Sequence, residues 1–248
     1  MGSLIEEGKI WRRPSWRGGE DDRNDMSSSK ETISLMQFLD EKAVADILNL
    51  QAQVARWLSD PKIFHLQSEA DLRDIFRLDR SVIGVMADNV LAAYSIIRLP
   101  GDAADNLGRD LNIPPEELCN VAHLQAIAVH PAYRGNGLQR RMERAHLGVI
   151  RDLGFKHVCS TISPQNPVSL CNTLECGFLV KGLRPKFEGW WRFILHRSFP
   201  RETMMRSETI RISGSDIAGQ VDLLSRGFVG FKMAFVPQGF DVFYGRLS

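Results

Sequence analysis

An α/β fold, a mixed sheet flanked by helices, follows from three features of this 248-residue sequence. Apolar runs of strand length alternate with stretches whose apolar residues recur every three or four positions, the periods of strands and of amphipathic helices. Near the middle, the mostly apolar run Val121–Val129 passes through a glycine-bearing turn straight into a helix-periodic segment. Beyond Pro200 a strand, helix, strand, strand pattern restarts, predicting a small C-terminal βαββ extension over residues 200–248.

Residues 1–30 mix Gly, Ser, Arg, Asp and Glu without a period, which predicts a disordered leader. Trp11 and Trp16 among Arg12, Arg13 and Arg17 are its exception, a cluster that could touch lipid, nucleic acid or the protein's own surface, and Met26 is an alternative start. The main domain is expected over residues 31–199. It opens with a strand at Thr32–Phe38 and a helix from Glu41 to Leu58, with Asp40 as N-cap and Pro61 beyond its end. A shorter helix, Glu69–Leu78, precedes strands Val82–Ala87 and Leu91–Leu99, whose link Asp88-Asn89 is a hairpin signal. An excursion over residues 100–120 follows, with a helix-like first turn at Pro114–Leu118.

Next come the strand Val121–Val129 and a helix starting near Gly137, on which Leu138, Met142, Ala145, Val149 and Leu153 make an apolar face, with Gly154 as C-cap. His157–Ile162 is a strand, Asn166–Cys176 a helix beginning near Pro167, and Phe178–Leu183 and Trp190–His196 two antiparallel strands. In the extension, Glu208–Ile212, Val229–Val236 and Asp241–Gly245 are strand-like and Ser215–Ser225 helical; the unit is expected to pack on the main sheet or on a second copy, as in a homodimer.

Composition narrows the functional classes. With 44% hydrophobic and 25% charged residues and a formal charge of +1, the chain has no global bias toward nucleic acid or membrane. No apolar run approaches the roughly 20 residues of a membrane helix, so a cytoplasmic protein is expected. Cys119, Cys159, Cys171 and Cys176 have no metal-ligand spacing and read as buried free thiols, and no metal is expected.

The turn carries the chemistry. Gly135 and Gly137 let the backbone bend sharply and present several amide hydrogens to one oxygen cluster, while the first turn of the next helix adds unpaired donors and partial positive charge. Arg134 and Arg140 could supply full charges at the rim. The alternative is that these glycines only make a tight strand-to-helix connection.

Arg134-Gly135-Asn136-Gly137-Leu138-Gln139, together with Asn166-Pro167-Val168-Ser169 through Cys176-Gly177-Phe178, resembles the paired motifs of the GNAT superfamily of acyl-CoA-dependent N-acetyltransferases, with the element order matching from about residue 32 to 199. The resemblance implies a splayed central sheet in which Val121–Val129 and His157–Ile162 part to admit acetyl-CoA, a co-substrate. It implies that backbone groups of Ile127, Ala128 and Val129 pair with the pantetheine arm, that the amides of Arg134, Gly135, Asn136, Gly137, Leu138, Gln139 and Arg140 hold the diphosphate, and that Asn166 and Ser169 line the cofactor. For the last two, helix capping is the competing reading. Two departures stand out: Thr173 occupies the position where many members carry a tyrosine acid, and Gln139 replaces a small residue.

The implied reaction is direct attack of a primary amine on the thioester, with the backbone of Val129 stabilising the oxyanion. His123 and Gln125, two apart on one strand face, are candidates to deprotonate or hold the amine, Glu116 and Glu117 more remote ones, and Cys171, a tyrosine or water could stand in for Thr173 as acid. Trp190 and Trp191 could line the acceptor pocket, with at least one expected in the core. A non-catalytic acyl-CoA-binding or regulatory module is the alternative function.

Overall fold

In the computed structural model of the chain, residues 3–12, 30–203 and 209–248 are described. The chain forms two compact units. The first holds the described residues up to Pro61, with His65–Ile97 and Ala126–Ala145; the second holds Lys62–Phe64, Arg98–Gln125 and His146–Ser248. Among the described residues no helix is long and apolar enough to cross a membrane.

Within the first unit, β1 (Leu4–Arg12), β2 (Lys30–Phe38), β3 (Val82–Ala87) and β4 (Val90–Arg98) lie in that order as antiparallel neighbours. Over Leu4–Arg12, β1 replaces the structureless leader expected there. It pairs with β2 from Leu4↔Gln37 to Arg12↔Lys30, and Ile10 is buried in a cluster with Met36, Tyr133, Leu138 and Met142. Its apolar residues follow no local period, so nothing short of the β2 ladder marks it as a strand. Of the Trp/Arg cluster, Trp11 and Arg12 lie on β1, whereas Arg13, Trp16, Arg17 and Met26 fall outside the described residues. The β3–β4 turn is the expected one, with Asp88 and Asn89 both left-handed (φ 49° and 59°), the geometry a two-residue hairpin needs.

Asp40 caps a 3-10 turn, Glu41–Ala43, that leads into α1 (Val44–Arg56); α2 (Glu69–Ile75) starts from a reciprocal Ser68/Asp71 capping box. Gln51, buried on α1, is satisfied by both backbone groups of Gln67, at 2.7 and 3.1 Å.

β5 (Val121–Val129) and α3 (Leu138–Asp152) each contribute residues to both units. Burial on α3 is broader than the expected stripe: Met142, Glu143, His146, Leu147, Val149 and Ile150 are all buried, while Leu153 lies past the helix end and is exposed.

In the second unit β5 is followed in space by β6 (His157–Ile162), β8 (Trp190–Ser198), β7 (Leu179–Lys186), β10 (Val229–Val236), β11 (Gly239–Gly245) and β9 (Ile210–Ser213). The β5–β6 pair is parallel and the rest antiparallel, so the sheet is mixed. α4 (Pro167–Glu175) and α5 (Ile217–Ser225) are its capped helices. The excursion contains two 3-10 turns, Arg109–Leu111 and Pro115–Asn120.

The C-terminal βαββ repeats the β6–α4–β7–β8 segment, at a constant interval from the helix cap to the following strand. Asn166 and Asp216 cap helices of equal length, Gly177 and Gly227 end them in left-handed conformation (φ 86° and 80°), and Phe178 and Phe228 are each 1% exposed. The following hairpins break register at matching places, Val180/Gly182 and Gly230/Lys232. In both, an arginine of the last strand region donates to the carbonyl that closes the helix, Arg197 to Cys176 and Arg246 to Arg226. The two copies meet edge to edge at Val180↔Gly230, equivalent residues, so a local two-fold relates β6-β8-β7 to β9-β11-β10. The extension thus packs on the sheet by covering the β7 edge, a strand rim that would otherwise display unpaired backbone groups.

Candidate functional site

The glycine turn belongs to the first unit. β5 ends in a 3-10 turn, Pro131–Tyr133, capped by His130 through its ring nitrogen to Ala132 N (3.1 Å). Gly135 and Gly137 then adopt φ 86° and 67°, so the backbone between them curls in the left-handed sense that L side chains resist. Among the described residues no acceptor faces the backbone N–H of Gly135, Asn136, Gly137 or Leu138, and these donors stand at the start of α3. Four orphan amides beside a helix N-terminus suit an anion. The Asn136 side chain is committed elsewhere, to the backbone of Trp11 and to Tyr133 O. Gln139 does not crowd the turn, because its amide reaches along the helix to Glu143 Oε1 at 2.8 Å.

Gln125, Ile127 and Val129 are half-buried along one face of β5, with His123 on the same face but buried. Ladder pairing of β5 with β6 runs over Val121–His123 against His157–Cys159, and Ser160 Oγ donates to Leu124 O at 2.9 Å. In the second unit Asn166 caps α4, its Oδ1 accepting from Ser169 N at 3.1 Å, while no acceptor among the described residues meets its Nδ2. Ser169 sits half-buried in the first turn of α4.

An acetyltransferase (GNAT) family model matches residues 49–178, from within α1 to the Gly177-Phe178 that closes α4. The chain belongs to the GNAT acetyltransferase family. No curated protein matches the chain in sequence. Among solved structures, an N-acetyltransferase from Staphylococcus aureus Mu50 superposes with a TM-score of 0.51 at 11% identity, over 66% of this chain and 98% of that one. The putative acetyltransferase yncA from Salmonella typhimurium, solved with its cofactor acetyl-CoA, gives 0.50 at 18% identity over 66% and 93%. The NatC complex bound to Gag peptide and CoA gives 0.51 at 14% identity over 66% and 98%. Identities this low establish the shared fold.

In this GNAT chain several of the candidate catalytic side chains are buried or already hydrogen-bonded. His123 is 3% exposed, its Nε2 accepts from Leu107 N at 3.0 Å, and burial, aided by Arg98, pushes its pKa down to about 4. Burial and the engagement of Nε2 both weaken it as a base. Glu117 is held by His157 Nε2 at 2.9 Å, a hydrogen bond that lowers its pKa. Thr173 is 1% exposed. All three tyrosine hydroxyls are engaged: Tyr94 with Gln51 at 3.4 Å, Tyr133 with Asp88 at 3.2 Å and Tyr244 with Gln220 at 2.9 Å, and burial raises the pKa of each.

Two of the four cysteines depart from the buried reading: Cys119 is exposed and Cys171 half-exposed, while burial pushes the Cys159 thiol up to about 12. Neither tryptophan of the β8 pair is in the core. Trp191 is 42% exposed, and the partly buried Trp190 stacks against the buried Arg192 at 5.5 Å. Sequence reasoning also missed Arg98–Asp105, a bidentate pair at 2.5 and 2.8 Å.

Proposed function

We propose that the chain transfers an acetyl group from acetyl-CoA to a primary amine. The observation that carries this reading is the set of orphan amides at Gly135–Leu138, between two left-handed glycines, in a chain whose family and fold are those of acetyltransferases. Those amides, with Arg134 and Arg140 at the rim, suit the diphosphate of the co-substrate. Backbone groups of Ile127, Ala128 and Val129 suit the pantetheine, as an added strand would, and the unbonded Nδ2 of Asn166 suits a pantetheine carbonyl.

For the chemistry, the amine lone pair attacks the thioester carbonyl, the N–C bond forms and the C–S bond breaks, and the amine's surplus proton passes to the departing thiolate. Val129 N–H stabilises the oxyanion. With His123 and the tyrosines engaged, water held by the half-buried Gln125 carries the proton. Proximity then does most of the work.

The same engagement of His123, Thr173 and the tyrosines favours a second reading, an acyl-CoA-binding module without turnover. Calorimetry with acetyl-CoA, followed by a thiol-release assay over a panel of amines, separates the two. Saturable binding with thiol release supports the transferase, binding without release on any amine supports the module, and absence of binding refutes both.

A further inference from the structure

β1 lies outside the residues matched by the family model, yet it is fastened to the phosphate turn. Trp11 N–H donates to Asn136 Oδ1 and Asn136 Nδ2 donates back to Trp11 O, both at 2.8 Å. The Asn136 amide therefore behaves as a one-residue strand on the open edge of β1. The same Nδ2 also reaches Tyr133 O at 2.9 Å, which braces the turn from inside.

Contacts on either side of this bracket hold β1 to both ends of the turn. Ile10 packs with Tyr133, Leu138 and Met142, and Glu6 pairs with Arg141 at 3.0 Å. Gly8 leaves room for that arginine, since a Cβ there would stand 3.1 Å from its Nη2. Arg12 lies 3.7 Å from Asp88 Oδ2, the oxygen that also accepts from Tyr133 OH. It is half exposed, and with Arg134 it adds to the positive surroundings that, after burial, lower the pKa of His130.

We propose that β1 is a working part of the cofactor site. The Trp11–Asn136 bracket holds the Gly135–Gly137 turn with its amides converged on the diphosphate, and Arg12 supplies a further cation for a phosphate of the adenosine end. Asn136 and Trp11 are positioning residues, acting through the turn. The inference rests on the acetyl-CoA reading above.

The test uses the full chain, acetyl-CoA by calorimetry, and steady-state kinetics on any amine the panel identifies. Asn136→Ala keeps every backbone amide and removes the bracket. Trp11→Pro removes, along with the exposed indole, the backbone donor that points to Asn136 and away from the β1–β2 ladder. Each is expected to weaken acetyl-CoA binding roughly tenfold, with the double variant no weaker than either alone because both break the same contact. KM for acetyl-CoA should rise while kcat and the KM of the amine hold. Arg12→Gln should weaken CoA about threefold and leave dephospho-CoA unchanged. Folded variants, judged by melting temperature, that bind as tightly as wild type would overturn this inference alone. A wild-type chain that binds no acetyl-CoA would overturn the functional reading along with it.

Discussion

His123 offers a test that separates a structural histidine from a catalytic base. Its folded-state pKa of about 4 lies below the 6.5 of an unconstrained imidazole, so on acidification the unfolded chain takes up the proton first. The stability contributed by the neutral ring is therefore complete above about pH 6.5 and drains as pH falls toward 4. At about 1.4 kcal/mol per pH unit, the loss across that window is about 3 kcal/mol, of which about 2 kcal/mol is gone by pH 5. His123→Gln keeps an acceptor for Leu107 N and removes the titration. Urea unfolding at pH 7.5 and pH 5 should show wild type losing about 2 kcal/mol more than the variant, and kcat should change no more than a few-fold. Equal pH dependence in the two proteins would refute the burial argument, and a kcat loss of about 10²–10⁴ would restore His123 as the base.

Three further outcomes are expected. Gly137→Val forces a side chain onto φ 67°, which costs about 1–2 kcal/mol of stability by thermal melting, and raises the acetyl-CoA Kd by on the order of a hundredfold in calorimetry; retained affinity in a folded variant would count against the turn. Asn166→Ala removes the α4 cap and about 1 kcal/mol, whereas Asn166→Asp keeps the cap and loses Nδ2, so weakened acetyl-CoA binding with an unchanged melting temperature in the Asp variant would assign Nδ2 to the cofactor. Gly230→Val places a Cβ 3.0 Å from Val180 Cβ at the seam between the two βαββ copies. It should lower the unfolding free energy measured in urea by about 1–3 kcal/mol and, if the seam opens, produce dimers through the freed β7 edge in light scattering.

The elements with strong local signals were legible in the sequence to within about three residues. β3, β5 and β6 are mostly apolar runs of strand length, α1 and α3 have clear helical periods, and the Asp88-Asn89 and Gly135–Gly137 turns are dictated by which residues tolerate left-handed backbone. β1 was not legible, since its strand character comes from the β2 ladder and from Ile10 finding Tyr133 and Met142 far along the chain. Nor was the breadth of burial on α3, where Glu143 and His146 are buried despite their polarity. The duplication had a signal, Asp216 to Gly227-Phe228 repeating Asn166 to Gly177-Phe178, that a search for internal repeats would have caught.

By itself, the sequence determined the α/β class, the family motifs and the left-handed glycine turn within Arg134–Gln139, because periodicity and glycine turns are properties of neighbouring residues. Only the tertiary structure decided that His123 is buried and engaged, that β1 is hydrogen-bonded to the glycine turn through Asn136, and that the C-terminal copy covers the β7 edge. Each of those depends on partners distant in the chain: desolvation sets the imidazole pKa, and an edge finds its ladder only when the fold brings one to it.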